Sequence, residues 1–296
     1  MIRVNPNSMP DLLLDLNQTQ QQQNNDLLEL STGRRINQPS DGPAAAAQIV
    51  QNHDQASQVD SFNQSLSSIN GQFQTADSTL NSVETALQRA ITLGVQAAND
   101  GTLSDADRGA IASELQGIKT QLVSLANTSY QGRFIFSGTA QTQPFVPDEN
   151  SPSGVTYAGN TNVNSVTVGN GYQMQTNLPG EQVFNAPNGD MFQSIADLTN
   201  AVLTDNGIDS AITEVRGAFD NVTQQRVFYG NNMNQVTSQE AYLNNVKVQL
   251  SSQENTIAGA DIASVASDLV QTENSRQAAL QAVGLRPPTS LFDFLQ

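Results

Sequence analysis

Between Val59 and Ala97 the apolar and small positions fall at Phe62, Leu66, Ile69, Phe73, Ala76, Leu80, Val83, Leu87, Ala90, Gly94 and Ala97, and the gaps are all three or four. This is a heptad seam. It predicts unbroken helix whose stripe is buried against other helices rather than closed into a globule. At 1.5 Å per residue, residues 44–98 would make a helix roughly 80 Å long. A rod of that length is building material, so the chain points to assembly before it points to chemistry.

Composition agrees. Hydrophobic content is 37% and aromatic content 5%, with no Trp, which is thin for a large globular core. Helix seams need only about two apolar residues per heptad. With 296 residues the chain could hold two or three domains, on a prior of about 100–200 residues each. Twelve Lys and Arg stand against 28 Asp and Glu, a net charge of -16. Nucleic acid would release no counterions to such a chain and anionic lipid would repel it, so neither nucleic acid nor membrane is an expected partner. No Cys is present, which excludes disulfides, thiolate metal sites and Cys nucleophiles. No apolar run reaches the ~18 residues of a membrane span. The start Met1-Ile-Arg-Val-Asn-Pro has none of the marks of a cleaved secretory signal.

Other elements follow from spacing. Residues 11–30 carry Leu12, Leu16, Thr19, Gln23, Leu27 and Leu30 at heptad positions around a Gln-Gln-Gln-Gln-Asn-Asn centre. A helix so polar at its middle buries little alone and is expected to fray in the isolated chain. Asp41, two residues before Pro43, reads as the N-cap region of the long helix. That helix should close at Asn99-Asp100-Gly101, and Ser104 with Asp107 should cap a second, antiparallel one through Ile111, Leu115, Ile118, Leu122 and Leu125. After Gly132 the period changes to two, in short glycine-punctuated stretches, which means hairpins. At about 55 residues such an insertion is marginal alone. Helix returns near Met191 and runs through Ile212, Val215, Val222, Tyr229, Val236, Leu243, Leu250 and Ile257, then through Ile262, Leu269, Leu280 and Val283.

The expected architecture is therefore mainly α: a long antiparallel, coiled-coil-like helical rod built from both chain ends, carrying a small β-rich insertion. Residues 1–40 with 258–296 would form a terminal coiled-coil core segment, 41–132 with 188–257 the helical rod, and 133–187 the insertion.

The sequence offers no catalytic, cofactor or metal site. The acidic run Asp100, Asp105, Asp107 lacks the Gly and Glu spacing of a calcium loop and reads as helix capping. His53 is the single histidine, so His-paired nucleophiles and multi-His metal sites are out. Gly132 to Gly138 has no Lys and no following helix, unlike a phosphate loop. An enzyme or ligand-binding adhesin working through the β insertion is the alternative from another class.

Four motifs carry a resemblance. Ser31-Thr32-Gly33-Arg34-Arg35-Ile36-Asn37 with Ser40-Asp41 resembles the N-terminal signature of flagellins and flagellar hook-associated proteins. Leu87-Gln88-Arg89 with Val95 to Asn99 resembles that family's helix hairpin. Gly132-Arg133-Phe134-Ile135-Phe136-Ser137-Gly138 and the ending Ser290 to Leu295 resemble its hook-associated branch more than its filament-subunit branch. Gly42 stands where the family commonly has a second Asp, and Arg286-Pro287-Pro288 interrupts a terminal helix that usually runs on.

The resemblance implies a structural component of the bacterial flagellum outside the cell, exported through the flagellar type III channel without a cleaved signal. It implies an adaptor at the hook–filament junction, with hook-associated protein 1 below, flagellin above, self-association in a ring or helical layer, and an export chaperone before assembly. A flagellin-like filament subunit is the nearer alternative. Leu12, Leu16, Leu27, Leu30, Leu269, Leu280, Leu291, Phe292, Phe294 and Leu295 are expected to pack between subunits, and Arg34 to make an intersubunit salt bridge, because their stripes lack partners within one chain.

Overall fold

The structure, a computed structural model, describes residues 8–99, 103–186 and 189–284. Among them are seven α-helices and eight short strands in four antiparallel pairs. The helices are α1 (Ser8–Thr32), α2 (Pro43–Asn99), α3 (Asp105–Ala126), α4 (Gly180–Phe184), α5 (Met191–Thr204), α6 (Ile208–Ala258) and α7 (Ile262–Gly284). The mainly α class and the long helices drawn from both ends of the chain are as expected. Two compact units emerge: a middle unit, Val59–Asn245, and a terminal unit combining Met1–Gln58 with Val246–Gln296.

In the middle unit the heptad seam of α2 is the core. Leu66, Phe73, Ala76, Leu80, Val83, Leu87 and Ala90 are buried, as are Val215, Val222, Tyr229 and Val236 of α6. Phe73 meets Tyr229 edge-on with ring centroids 5.9 Å apart. At Gly94 an added Cβ would sit 2.8 Å from Ile212 Cγ1 and 3.1 Å from Leu198 Cδ1, so the helices approach only because that seam position is glycine. Arg226 of α6 reaches across to α2, donating to Asp77 at 2.6 Å, Glu84 at 2.8 Å and Asn81 at 3.1 Å.

The second helix starts as the sequence predicts. Ser104 caps α3, its hydroxyl accepting from the Asp107 amide while the Asp107 carboxylate accepts from the Ser104 amide. Arg89 of α2 donates to Glu114 of α3 at 2.7 Å, which fits the antiparallel pairing. The closest packing of α3, however, is against α5. This amphipathic helix buries Met191, Phe192, Ile195, Leu198 and Val202.

The glycine-rich stretch folds into β1 (Ser129–Tyr130) with β2 (Arg133–Phe134), β3 (Phe145–Pro147) with β4 (Val155–Tyr157), β5 (Ser165–Gly169) with β6 (Tyr172–Gln175), and β7 (Asn185–Ala186) with β8 (Gly189–Asp190). Its stability is borrowed from the helices. Phe145 packs on Phe184 at 5.4 Å and on Phe192 of α5 at 5.1 Å. Asn127, just past α3, donates to the Phe145 carbonyl and accepts from its amide, pinning β3 to that helix end. Gly138 takes φ +74 with the Asn160 carbonyl where a Cβ would go, so a side chain there would meet both strain and a clash.

Candidate assembly surfaces

The terminal unit overturns one expectation. Helices α1 and α7, expected to lack partners within the chain, pack lengthwise on each other. The polar middle of α1, expected to fray, is the part that makes this fit. Asp26 is buried and accepts from Gln22 at 3.0 Å and from the Thr272 hydroxyl at 3.4 Å. Gln23 donates to Glu273 at 2.6 Å, and Arg276 approaches the other oxygen of that carboxylate at 3.5 Å. Leu16 and Leu269 are half-buried and Val265 is buried. Burial, with the charge of Asp26 next, raises the Glu29 carboxyl above its usual range, while Arg35 pulls the other way.

Where α1 ends, main chain meets main chain. Gly33 leaves the helix at φ +68. The Arg35 amide then donates to the Ala258 carbonyl at 2.6 Å and the Ala260 amide to the Gly33 carbonyl at 3.0 Å, around an antiparallel bridge between Arg34 and Gly259. At Gly259 a Cβ would lie 2.4 Å from the Asn255 carbonyl oxygen. Two side chains converge on Glu254 beside this clasp: the Arg34 guanidinium, and His53, whose Nε2 lies 3.1 Å from Oε1. The His53 hydrogen bond is the main cause that holds the Glu254 carboxyl below its usual value; burial opposes it, and Arg34 lowers it further. The intersubunit partner expected for Arg34 is thus supplied by its own chain.

Asp41 does not act as the forward cap of α2. Its carboxylate turns back, accepting from the Asn37 amide at 3.0 Å and the Gln38 amide at 2.7 Å, and these bonds lower its pKa. The Ser-Thr-Gly-Arg-Arg-Ile-Asn run and Ser40-Asp41 therefore build the corner from α1 to α2.

What α1 and α7 bury between themselves leaves much apolar surface outside. Leu14 is 58% and Val270 62% exposed, and Leu13, Leu27, Leu28, Leu30, Ile262 and Leu280 are exposed as well. Of the residues expected to pack between subunits, Leu27, Leu30 and Leu280 are on this outer surface, and Leu16 and Leu269 are partly exposed. Leu12 is in α1; Leu291, Phe292, Phe294 and Leu295 lie outside the described residues. Reading for apolar stripes missed Leu13, Leu14, Leu28 and Val270, and it missed Asp26, Thr272, Glu273 and Glu254. The polar heptad position Gln23 was the signal available for the second group.

Among the described residues no cluster of His, Asp and Glu could hold a metal ion, and no helix is long and apolar enough to cross a membrane.

Comparison with known proteins bears on these surfaces. Residues 6–141 match the bacterial flagellin N-terminal helical region. The chain is 40% identical over 119 residues to flagellar hook-associated protein 3 of Escherichia coli K12, which is 40% of this chain and 37% of that one. It is 36% identical over 160 residues to flagellar hook-associated protein 3 of Salmonella typhimurium LT2, 53% of this chain and 49% of that one. These alignments span half or less of the curated relatives' length. A putative flagellar hook-associated protein from Vibrio parahaemolyticus shares the fold with a TM-score of 0.68 at 20% identity, over 74% of this chain and all of that one. The α1–α2 corner, the heptad seam and the α3 hairpin all fall inside the region similar to the bacterial flagellin N-terminal helical region.

Proposed function

We propose that this protein is a structural, non-enzymatic component of the bacterial flagellum that joins hook to filament. The carrying observation is the terminal unit, which spends its polar side chains on pairing α1 with α7 and turns apolar ones outward. Fully burying one Leu is worth about 1.5–3 kcal/mol, so a few such residues per helix are enough to hold a subunit in a layer once ordering costs are met. On this reading Leu12, Leu16, Leu27, Leu30, Leu269, Leu280, Leu291, Phe292, Phe294 and Leu295 pack against neighbours. The parts played by residues 1–40 with 258–296, 41–132 with 188–257, and 133–187 are terminal core, helical body and outer insertion.

The resemblance to the hook-associated branch, in Gly132 to Gly138 and Ser290 to Leu295, supports the junction over the filament. The partners are then hook-associated protein 1 on the hook side, flagellin on the filament side, further copies of this chain in a ring or helical layer, and an export chaperone. The protein reaches the cell exterior by type III export.

A junction adaptor presents different surfaces to the layers below and above, because identical head-to-tail contacts would propagate into an open filament. Purified protein seeded on hook fragments should add a thin collar and stop, and a labelled copy should mark one band between hook and filament. Long filaments of this chain alone would replace the junction reading with that of a filament subunit.

A further inference from the structure

The part of α2 that belongs to the terminal unit, residues 43–58, buries a single side chain, and that side chain is polar. It is Asn52, 6% exposed. Asn52 stands seven residues before Val59, and the same seven-residue step leads on through Leu66, Phe73, Leu80 and Leu87, all buried. An asparagine thus fills a seam position that is apolar at each of those later repeats. Its Nδ2 is buried and has no hydrogen-bond partner among the described residues.

Across from this stretch, α6 buries Leu250 and Ala258. His53, next to Asn52, fixes the pairing from outside, with its Nε2 3.1 Å from Glu254 Oε1 and its side chain largely exposed. Inside, the closed pair carries a cost. A buried amide donor without an acceptor has given up its bonds to water and gained none in return. Opening gives those bonds back. Beyond Val59 the balance reverses, because opening there would hydrate Leu66, Phe73 and Leu80, which have no exposed surface. Few buried apolar groups and a polar residue at a core position are the marks of a segment that opens locally.

We propose that residues 43–58 are a strap that lifts from α6 as a unit while the rest of α2 stays packed, and that Asn52 sets how often it lifts. The open state uncovers Leu250, an apolar face of α6 that the closed chain hides. The device belongs to one chain and does not depend on the junction reading.

Native-state hydrogen exchange on the purified full chain, expressed as protection factors, tests it. Protection over amides 48–58 should lie at least a hundredfold below that over 66–90 and should be similar from one amide to the next. N52L should raise protection over 48–58 about tenfold, ~1.4 kcal/mol, and leave 66–90 within twofold. Should leucine be too large and lower the main denaturation midpoint, N52V carries the same reading. Wild-type protection over 48–58 equal to that over 66–90 would overturn the strap, and so would a smooth gradient along 48–58, which is end fraying. No rise in either N52L or N52V would overturn the role of Asn52. A larger change from H53Q than from N52L would also overturn it, by giving control to the surface contact with Glu254.

Discussion

The two units of this protein solve the same problem, holding long helices together, with different materials. The middle unit uses a dry heptad seam in which Leu66, Phe73, Leu80 and Tyr229 have no exposed surface. The terminal unit uses Gln23 with Glu273, Asp26 with Thr272, a main-chain bridge and a surface ion pair, and leaves Leu13, Leu14, Leu27, Leu28, Leu30 and Leu280 outside. The first is built to be stable alone. In the second the internal pairing fixes which faces point outward.

The contrast breaks first, if it is false, under large-to-small substitution. Phe73→Ala should cost about 3–5 kcal/mol and lower the main denaturation midpoint. Leu27→Ala should leave that midpoint within about 0.5 kcal/mol, as for other surface changes. Equal losses in a chemical denaturation series would mean that the exposed leucines belong to a core of the isolated chain.

Next in size is the split between folding and assembly. Leu13, Leu14, Leu27 and Leu28 replaced together by Ser should reduce incorporation into flagella to background while the far-ultraviolet dichroism of the purified chain stays nearly unchanged. Limited proteolysis should trim purified protein to about residues 40–260, because the α1–α7 pair has little buried apolar surface to resist opening. A full-length resistant fragment would show that the polar seam is stronger than its chemistry suggests.

The smallest effects come from two carboxylates with opposite signs. Glu254 has its pKa lowered by His53 and Arg34. It therefore stabilises the clasp above the ordinary carboxylate range, and that contribution fades as pH falls through its depressed value. Glu29 has its pKa raised by burial and by Asp26. Its charge opposes α1–α7 pairing at neutral pH, and the opposition is relieved as pH falls through the raised value. Protection factors of amides along α1, which are corrected for the fall in intrinsic exchange rate, should thus rise modestly as pH falls from neutrality towards the carboxylate range, and Glu29→Gln should flatten the trend. Glu254→Gln should speed exchange at the Arg35 and Ala260 amides, by an amount matching the ~0.2–1 kcal/mol of a partly exposed pair. Protection factors along α1 that fall on acidification would reverse the assignment for Glu29.

Much of this was legible in the sequence because apolar periodicity is a repeated signal. Eleven seam positions from Phe62 to Ala97 announce α2, and Ser104 with Asp107 marks the start of α3. Glycine punctuation after Gly132 announced strands, though not that Phe145 would lean on Phe192 of a later helix. The pairing of α1 with α7 was hidden for a different reason. Gln23 and Glu273 are complementary only to each other, and nothing periodic links residues 250 positions apart. The clasp is harder still to read, since its bonds run between backbone groups that every residue carries, and only Gly33 and Gly259 hint at it.

That clasp also sets an order of events. Gly33 is bonded to Ala260, so α1 has to wait for the distant junction of α6 and α7 before its corner can close. Contacts so distant along the chain form late. A chain cut short before Ala258 would lose more than α7, because α1 would have nothing to lie against and its corner no carbonyl to meet. Damage to α7 should therefore be felt at α1, and damage to α1 at α7.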